Sequence, residues 1–481
     1  MENTSHNKPV TSSPYTTTKG VQTLLGNPKQ AIIKLSIPMI VAMSVHTLYN
    51  FVDGLWVSGL GPDALSAVGF FFPFFFMVFA LAAGIGVGGS SAISRRIGAK
   101  DKKNADAIAS HTMVMMFITT LIITVPFMIL APRIFAAMGA GPIVPTATAY
   151  ARILFAGTLI ILFSNISSAI LRGEGDVKRA MIIMMLGAGI NIILDPIFIY
   201  ALKLGVKGAA WATMISLCVS SAFLFHWLFI KRDTYVTISF RQFRFRKVIL
   251  KDILRVGIPS TFMQMSMALT MLIINLIAVK VGGTDGVAVF TTGWRVVMFA
   301  TLPLIGIATA VTSVTGAAFG GKAYRKLNTS YMYAIKIGAS ISLITAVITF
   351  FLAPSIAWLF TTSQEAFRIR PELITFLQIM CIFYPGVSFG MFSSAMFQGT
   401  GKGTISLTVT IIRTIVLTTP LAYLFAIVID LGLDGIWWGM VAGNLTGSLI
   451  AFSWGRHFVR RMLSKAPVSK ISGVMNRDNI L

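Results

Sequence analysis

Asp53 and Asp195 are the residues of this 481-residue chain best placed to do chemistry, because they fall deep inside long apolar segments. An ionised carboxylate at a bilayer centre costs about 2.5–3.5 kcal/mol on insertion scales, so one retained there serves ion or substrate traffic more readily than packing. Asn191 precedes Asp195 by four residues and shares its helical face. Pro196 has no amide hydrogen and frees the carbonyl of Ile192. A carboxylate, an amide oxygen and a loosened backbone on one face suit a proton or a small cation, and Thr213 in the next segment adds a hydroxyl. His46, seven residues before Asp53, falls on the same face as a candidate relay, although a packed neutral histidine is the better reading of it.

The elements that position these groups are membrane helices. Hydrophobic residues make up 55% of the chain and charged residues 12%, against about 25% charged in soluble domains. Mean hydropathy is +0.80. Twelve apolar segments, near 30–57, 64–94, 104–131, 142–171, 178–202, 208–230, 252–282, 287–318, 327–353, 371–397, 404–429 and 436–458, are each long enough to cross about 30 Å of hydrocarbon as a helix. The expectation is an all-α integral membrane protein.

The net charge of +24 distributes by side. Reading alternate loops places 29 Lys and Arg on one side. Six lie opposite: Arg133, Lys203, Lys207, Lys280, Arg368 and Arg370. Five more, Arg152, Arg255, Arg295, Lys336 and Arg413, lie in or at the ends of apolar segments. This asymmetry predicts a multi-pass plasma-membrane protein with both termini in the cytoplasm. Basic loops beside lipid headgroups account for the charge without a nucleic-acid partner. Residues 1–28 are polar and read as a flexible cytoplasmic tail. Cys218 and Cys381 lie far apart in apolar segments and read as small buried hydrophobes rather than a disulfide or zinc framework. Gly84, Gly86 and Gly89 match a dinucleotide-binding spacing but lie inside an apolar helix with no preceding strand, so close helix packing is the better reading. Gly316 with Gly321-Lys322 falls short of a phosphate loop, because Ala323 stands where a magnesium-binding hydroxyl is needed.

The chain also repeats itself. Ile37-Pro38 recurs as Ile258-Pro259, Gly98 and Lys100 as Gly320 and Lys322, and Ser167-Ser168-Ala169 as Ser393-Ser394-Ala395. Gly173 and Gly175 recur as Gly399 and Gly401, and Leu204-Gly205 with Gly208 as Leu431-Gly432 with Gly435, at offsets of 221 to 227 residues. Six segments per half is an even number, so the halves are expected to be related by an axis along the membrane normal. The predicted organisation is a tail (1–28), an N-lobe (29–231), a linker (232–250), a C-lobe (251–465) and a second tail (466–481). The polar cluster is not repeated, since aligning Pro196 with Pro420 sets Thr419 opposite Asp195 and Ile415 opposite Asn191.

Tyr49-Asn50-Phe51-Val52-Asp53-Gly54 with Trp56-Val57-Ser58, and Asn191-Ile192-Ile193-Leu194-Asp195-Pro196, resemble the multidrug and toxic compound extrusion (MATE) family. With the segment number and the duplication, the resemblance covers residues 30 to 460. It implies a V-shaped antiporter with a central cleft between two six-helix lobes, exporting cationic or amphiphilic drugs in exchange for protons or sodium. It further implies a coupling-cation site at Asp53, Asn191, Asp195 and Thr213, with Tyr150 beside it and Pro38 at a bend of the first helix; Asn50 and His46 on the same helix are candidate cleft or relay groups. The absence of a deep carboxylate in the C-lobe resembles the DinF-like and archaeal branch. No resident cofactor is expected, the coupling ion being H+ or Na+, and a cleft within one duplicated chain makes a monomer sufficient.

The rival expectation keeps this architecture and changes the cargo to a lipid-linked oligosaccharide, whose pyrophosphate calls for cleft cations such as Arg152, Arg295, Lys336 and Arg413. No cluster of His, Cys or acids at metal spacing supports a membrane-embedded enzyme.

Overall fold

A computed structural model describes residues 17–465 apart from 61, 242 and 363, and the regular structure of the described residues is helical throughout. The twelve predicted segments all fall on helices. The first three are α2 (Pro28–Ser58), α3 (Pro62–Gly98) and α4 (Lys102–Ala137), following a short α1 (Lys19–Leu25). The fourth is a pair, α5 (Val144–Ala156) and α6 (Thr158–Gly173), bent by 47° at Gly157. The fifth is α7 (Val177–Pro196), continued by a wide turn at Ile197–Ala201, and the sixth is α8 (Val206–Phe225). The seventh and eighth form one 74-residue run, α9 (Lys247–Gly320), broken at Gly283, whose φ of 58° suits glycine. The ninth is α10 (Tyr324–Phe360), after which α11 (Gln364–Phe367) is a single turn. The tenth is again bent, by 53°, between α12 (Arg370–Cys381) and α13 (Tyr384–Gly399), where Pro385 opens the second piece. The eleventh is α14 (Gly403–Ile411) and α15 (Thr419–Tyr423), joined and followed by wide turns, and the twelfth is α16 (Gly432–Ser464).

The duplication is written into the backbone. Lys100 and Lys322 take φ of 58° and 54°, Lys203 and Asp430 take 53° and 62°, and Gly175 and Gly401 take 86° and 75°. Each pair keeps the offset of the sequence repeat.

Glycines also build the seam between the lobes, in matched pairs. A Cβ on Gly98 of α3 would collide with the carbonyl of Ala317 in α9, and a Cβ on Gly320 with that of Arg95. Deeper in, Gly84 lies against Gly257 and Thr261, while Gly306 lies against Ile40. Gly84 therefore serves helix packing, as its context predicted. Hydroxyls complete the seam: Ser91 Oγ donates to the carbonyls of Gln398 (2.5 Å) and Gly399 (3.2 Å), and Ser313 Oγ donates to that of Arg172 (2.9 Å). Two ion pairs, Arg95 to Asp252 at 2.7 Å and Arg96 to Asp252 at 4.0 Å, join α3 to the start of α9 without a repeat-related counterpart. All these contacts lie on the side of the basic loops, where the lobes are closed together.

Two expectations need correction. Part of the segment read as a flexible tail is α1, capped by Thr18, with Val21 and Leu24 buried and Gly20 resting on Gly175. Seven residues with two apolar positions on one face are too short to register as a helix in sequence, and docking supplies the stability. Cys381 is buried as expected, but Cys218 is exposed, on the outward stripe of α8.

The linker is anchored by an acid that sequence reasoning passed over. Glu174, between α6 and α7, is fully buried, and its Oε2 accepts from the Val236 amide at 2.9 Å, while Oε1 has no partner. Burial, the largest cause, pushes its pKa up to about 8. A folded value above the unfolded one contributes stability that is complete below the ordinary value of 4.5 and lost as pH rises through about 8. Glu174→Gln is therefore expected to leave the melting temperature unchanged in acid and to raise it above the folded pKa. A scan across this range checks it, and parallel pH profiles for the two proteins would count against a strained buried acid.

Candidate functional site

The site lies where α2 crosses α7 and α8 in the N-lobe. Asp195 occupies the end of α7, immediately before Pro196 and the wide turn that follows it. Its side chain is 0% exposed, and Oδ1 has no partner. Wide helical turns cluster at functional positions because they redirect side chains and carbonyls.

Asn191, one turn earlier, is buried as well. In the orientation that satisfies both ends of its amide, Nδ2 donates to Asp195 Oδ2 at 2.8 Å and Oδ1 accepts from the Thr213 amide at 3.1 Å. Turned over, Nδ2 donates to Thr213 Oγ1 at 3.3 Å, and the amide oxygen faces the carboxylate, which is what a cation between them would require. Thr213 Oγ1 itself donates to Ala209 O at 3.0 Å. Its lone pairs face the cluster, so bonding to its own helix and contributing to the site coexist.

Asp53 descends from α2 and is half-buried, with its carboxyl group within hydrogen-bonding reach of Asp195. Two adjacent carboxylates in apolar surroundings cannot both stay bare; a shared proton or a shared cation removes the repulsion. Tyr49, one turn before Asp53, brings its hydroxyl to Thr213 and lies close to both acids. Sequence reasoning quoted Tyr49 only within a motif, although the four-residue spacing to Asp53 marks it as sharing that face. Tyr150 joins the cluster from α5, with its ring edge-on to Phe71 at 5.4 Å.

The remaining predicted residues fall beside this cluster. Asn50 Nδ2 donates to His46 O at 2.9 Å and meets His46 Nδ1 at 3.0 Å. His46 also packs edge-on against Tyr49, at 5.6 Å between centroids. These two therefore form a pair one to two turns before Asp53 rather than part of the carboxyl contact. Pro38 lies within α2, which runs on through it without interruption, four residues after Lys34, whose carbonyl it leaves without an amide donor. The far end of α2 is tied down: Tyr200 Oη, in the wide turn after Pro196, donates to Trp56 O at 2.6 Å. The two helices carrying the carboxylates are thus linked directly beyond the site.

Of the deep cations named above, Arg152, Arg295 and Lys336 are exposed on their helices, and Arg413 is half-buried. Among the described residues none of the four forms an ion pair, and the strongest convergence of polar groups remains the N-lobe acid cluster.

Comparison with known proteins gives a consistent result. The MatE family model matches residues 38–197 and 259–424, once in each half. The chain is 26% identical over 428 residues to the multidrug export protein MepA of Staphylococcus aureus, covering 88% of this chain and 92% of that one. It is 51% identical to the solved structure of a MOP superfamily transporter from Pyrococcus furiosus, described as having a binding pocket of reverse polarity that suggests a different function. That match has a TM-score of 0.90 and covers 93% of this chain and 99% of that one. A multidrug resistance MATE family transporter solved in an outward-facing conformation is also 51% identical, with a TM-score of 0.91 and coverage of 93% and 100%.

Proposed function

This chain belongs to the MATE (MatE) family of multi-pass membrane transporters, and from that premise we propose that it exports cationic or amphiphilic small molecules in exchange for a proton or a sodium ion. The observation that carries the reading is the contact between Asp53 and Asp195 beside Asn191, Thr213 and Tyr49. A buried carboxyl oxygen without a partner, Asp195 Oδ1, is an acceptor awaiting a guest. Sodium and protons both want oxygen ligands, and the two orientations of the Asn191 amide suit the two loading states: nitrogen toward Asp195 when no metal ion is held, oxygen toward it when one is.

Transport follows from competition. Loading Asp53 and Asp195 disfavours a cationic substrate, and substrate binding disfavours the ion, so the two occupy the protein alternately. With the lobes sealed on the basic side, which the charge asymmetry makes cytoplasmic, the cleft faces outward, where substrate leaves and the ion enters. Ion loading then bends α2 at Pro38, the proline in its interior, and rocks the lobes. Met265, Met298, Phe72, Phe75 and Phe299, exposed on α3 and α9 beyond the seam, supply adaptable contacts for varied ligand shapes. A paired carboxylate site has no role in moving a pyrophosphate, so the flippase reading is not adopted.

The test is substrate uptake into proteoliposomes with pH and sodium gradients imposed separately. Accumulation driven by one gradient alone identifies the coupling ion. Equal transport with neither gradient present would overturn the antiport reading.

A further inference from the structure

The two lobes end differently on the basic side, although the repeat would have them match. Trp454 of α16 stands at the repeat position of Trp227, Lys402 at that of Asp176 and Ile405 at that of Arg179. In the N-lobe this place is filled. The Arg179 guanidinium covers the Trp227 ring at 5.2 Å and pairs with Asp233 of the linker at 2.7 Å and with Asp176 at 3.5 Å, while Lys231 closes on Asp233 at 2.9 Å. Acids and bases there satisfy one another beneath a returning chain.

In the C-lobe α16 runs on as helix to Ser464, and the matching place is a groove with a cavity of about 370 Å³. Its apolar part is rigid. Phe319, at the end of α9, and Phe458 lie 6.4 Å apart between ring centroids, and Phe458 rests on the buried Phe397 at 5.7 Å. Ile405 of α14 and Trp454 line it as well, and Lys402, His457, Arg461 and Lys465 supply its polar part. No Asp or Glu lines the cavity, and among the described residues none of these four forms an ion pair. The groove is also graded as a lipid is. Ile450, Trp454, Arg461 and Lys465 follow one stripe of α16, with Ile450 and Trp454 38% and 39% exposed. Arg461 lies about 10 Å beyond Trp454 along the helix, and tryptophan favours the headgroup level of a membrane. The stripe therefore passes from acyl-chain depth to water, with the cations at its outer end.

We propose that the groove between α14 and α16 binds an acidic phospholipid of the basic-side leaflet, with its phosphodiester among Lys402, Arg461 and Lys465 and its acyl chains along Ile405, Trp454 and Ile450. Basic pockets between membrane helices select acidic headgroups in this way. Three cations without an acid call for an anion, and the apolar floor favours one that carries hydrocarbon over free phosphate. A zwitterionic headgroup brings a cation of its own into a place that already has an excess. The chain beyond Lys465 is a poorer occupant, because Lys470 and Arg477 outnumber Asp478. The groove shares no residue with the N-lobe acid cluster, so its failure is separable from that of the antiport reading.

Titrating the full-length protein in detergent with phosphatidylglycerol and, separately, with phosphatidylcholine tests this, the retained lipid being read by native mass spectrometry. Phosphatidylglycerol is expected to be retained preferentially. Combining Lys402→Gln, Arg461→Gln and Lys465→Gln is expected to weaken its retention about tenfold. None of the three side chains is buried, so the fold does not depend on them. Combining Lys251→Gln, Arg325→Gln and Arg460→Gln removes as much charge from exposed positions on the same side and leaves retention unchanged. Ile405→Trp fills the groove while keeping every charge and is expected to weaken retention as the first set does; if it does not fold, the two charge sets still decide. Removing residues 466–481 leaves retention unchanged. Equal retention of the two lipids, equal loss in both charge sets, wild-type retention in a folded Ile405→Trp, or displacement of the lipid by inorganic phosphate would overturn the proposal. Tighter retention without residues 466–481 would make that segment the occupant and overturn it too.

Discussion

Asp195→Asn is expected to abolish gradient-driven efflux while leaving the protein folded. The substitution keeps the planar shape beside Asn191 but removes the charge, so the site no longer discriminates an ion-loaded state from an empty one. One pH unit is worth about 1.4 kcal/mol per proton, so one-for-one exchange sustains up to about a tenfold substrate gradient. In the variant that ratio falls to about one. Substrate binding measured without a gradient separates loss of coupling from loss of the fold, and tenfold accumulation by Asp195→Asn would remove this carboxylate from the mechanism.

Gly98→Ala is expected to open the seam. The added methyl group meets the Ala317 carbonyl, which is backbone and cannot rotate aside. Overpacking of this kind costs about 1–3 kcal/mol, and here the cost falls only on the conformation in which α3 and α9 touch. The equilibrium between sealed and open forms should therefore shift by roughly 5- to 150-fold toward the open form. Gly320→Ala, its repeat-related partner against Arg95, should act alike. Spin-label distances between the basic-side ends of α3 and α9 read the shift directly. An unchanged distance distribution in both variants would show that these contacts do not set the conformational balance.

Much of this was legible in the sequence because membranes impose simple lengths. Twelve segments of sufficient apolar length fix twelve crossings, and the offset between Gly98 and Gly320 or Gly175 and Gly401 reports the duplication. Asp53, Asn191 and Asp195 stood out because charge in oil is costly. What escaped depended on contacts distant in sequence. Glu174 sits between two glycines in what reads as a solvated loop, and only the return of the linker buries it. Arg413 was visible as a deep cation, but whether a carboxylate meets it is decided by three separate helices. The side of α8 that Cys218 faces is likewise set by its neighbours, and the chain from 17 to 25 owes its order to the surface beneath it.

The hydroxyl bonds from Ser91 and Ser313 have a consequence for turnover. Each ends on a carbonyl at the last turn of a helix, one that also accepts an amide from the turn that follows. When the lobes part, water reaches those same oxygens and replaces the serines almost one for one. The gate is therefore latched by bonds that solvent can match, so under the proposed antiport the free energy of a single ion moving down its gradient suffices to decide which way it swings.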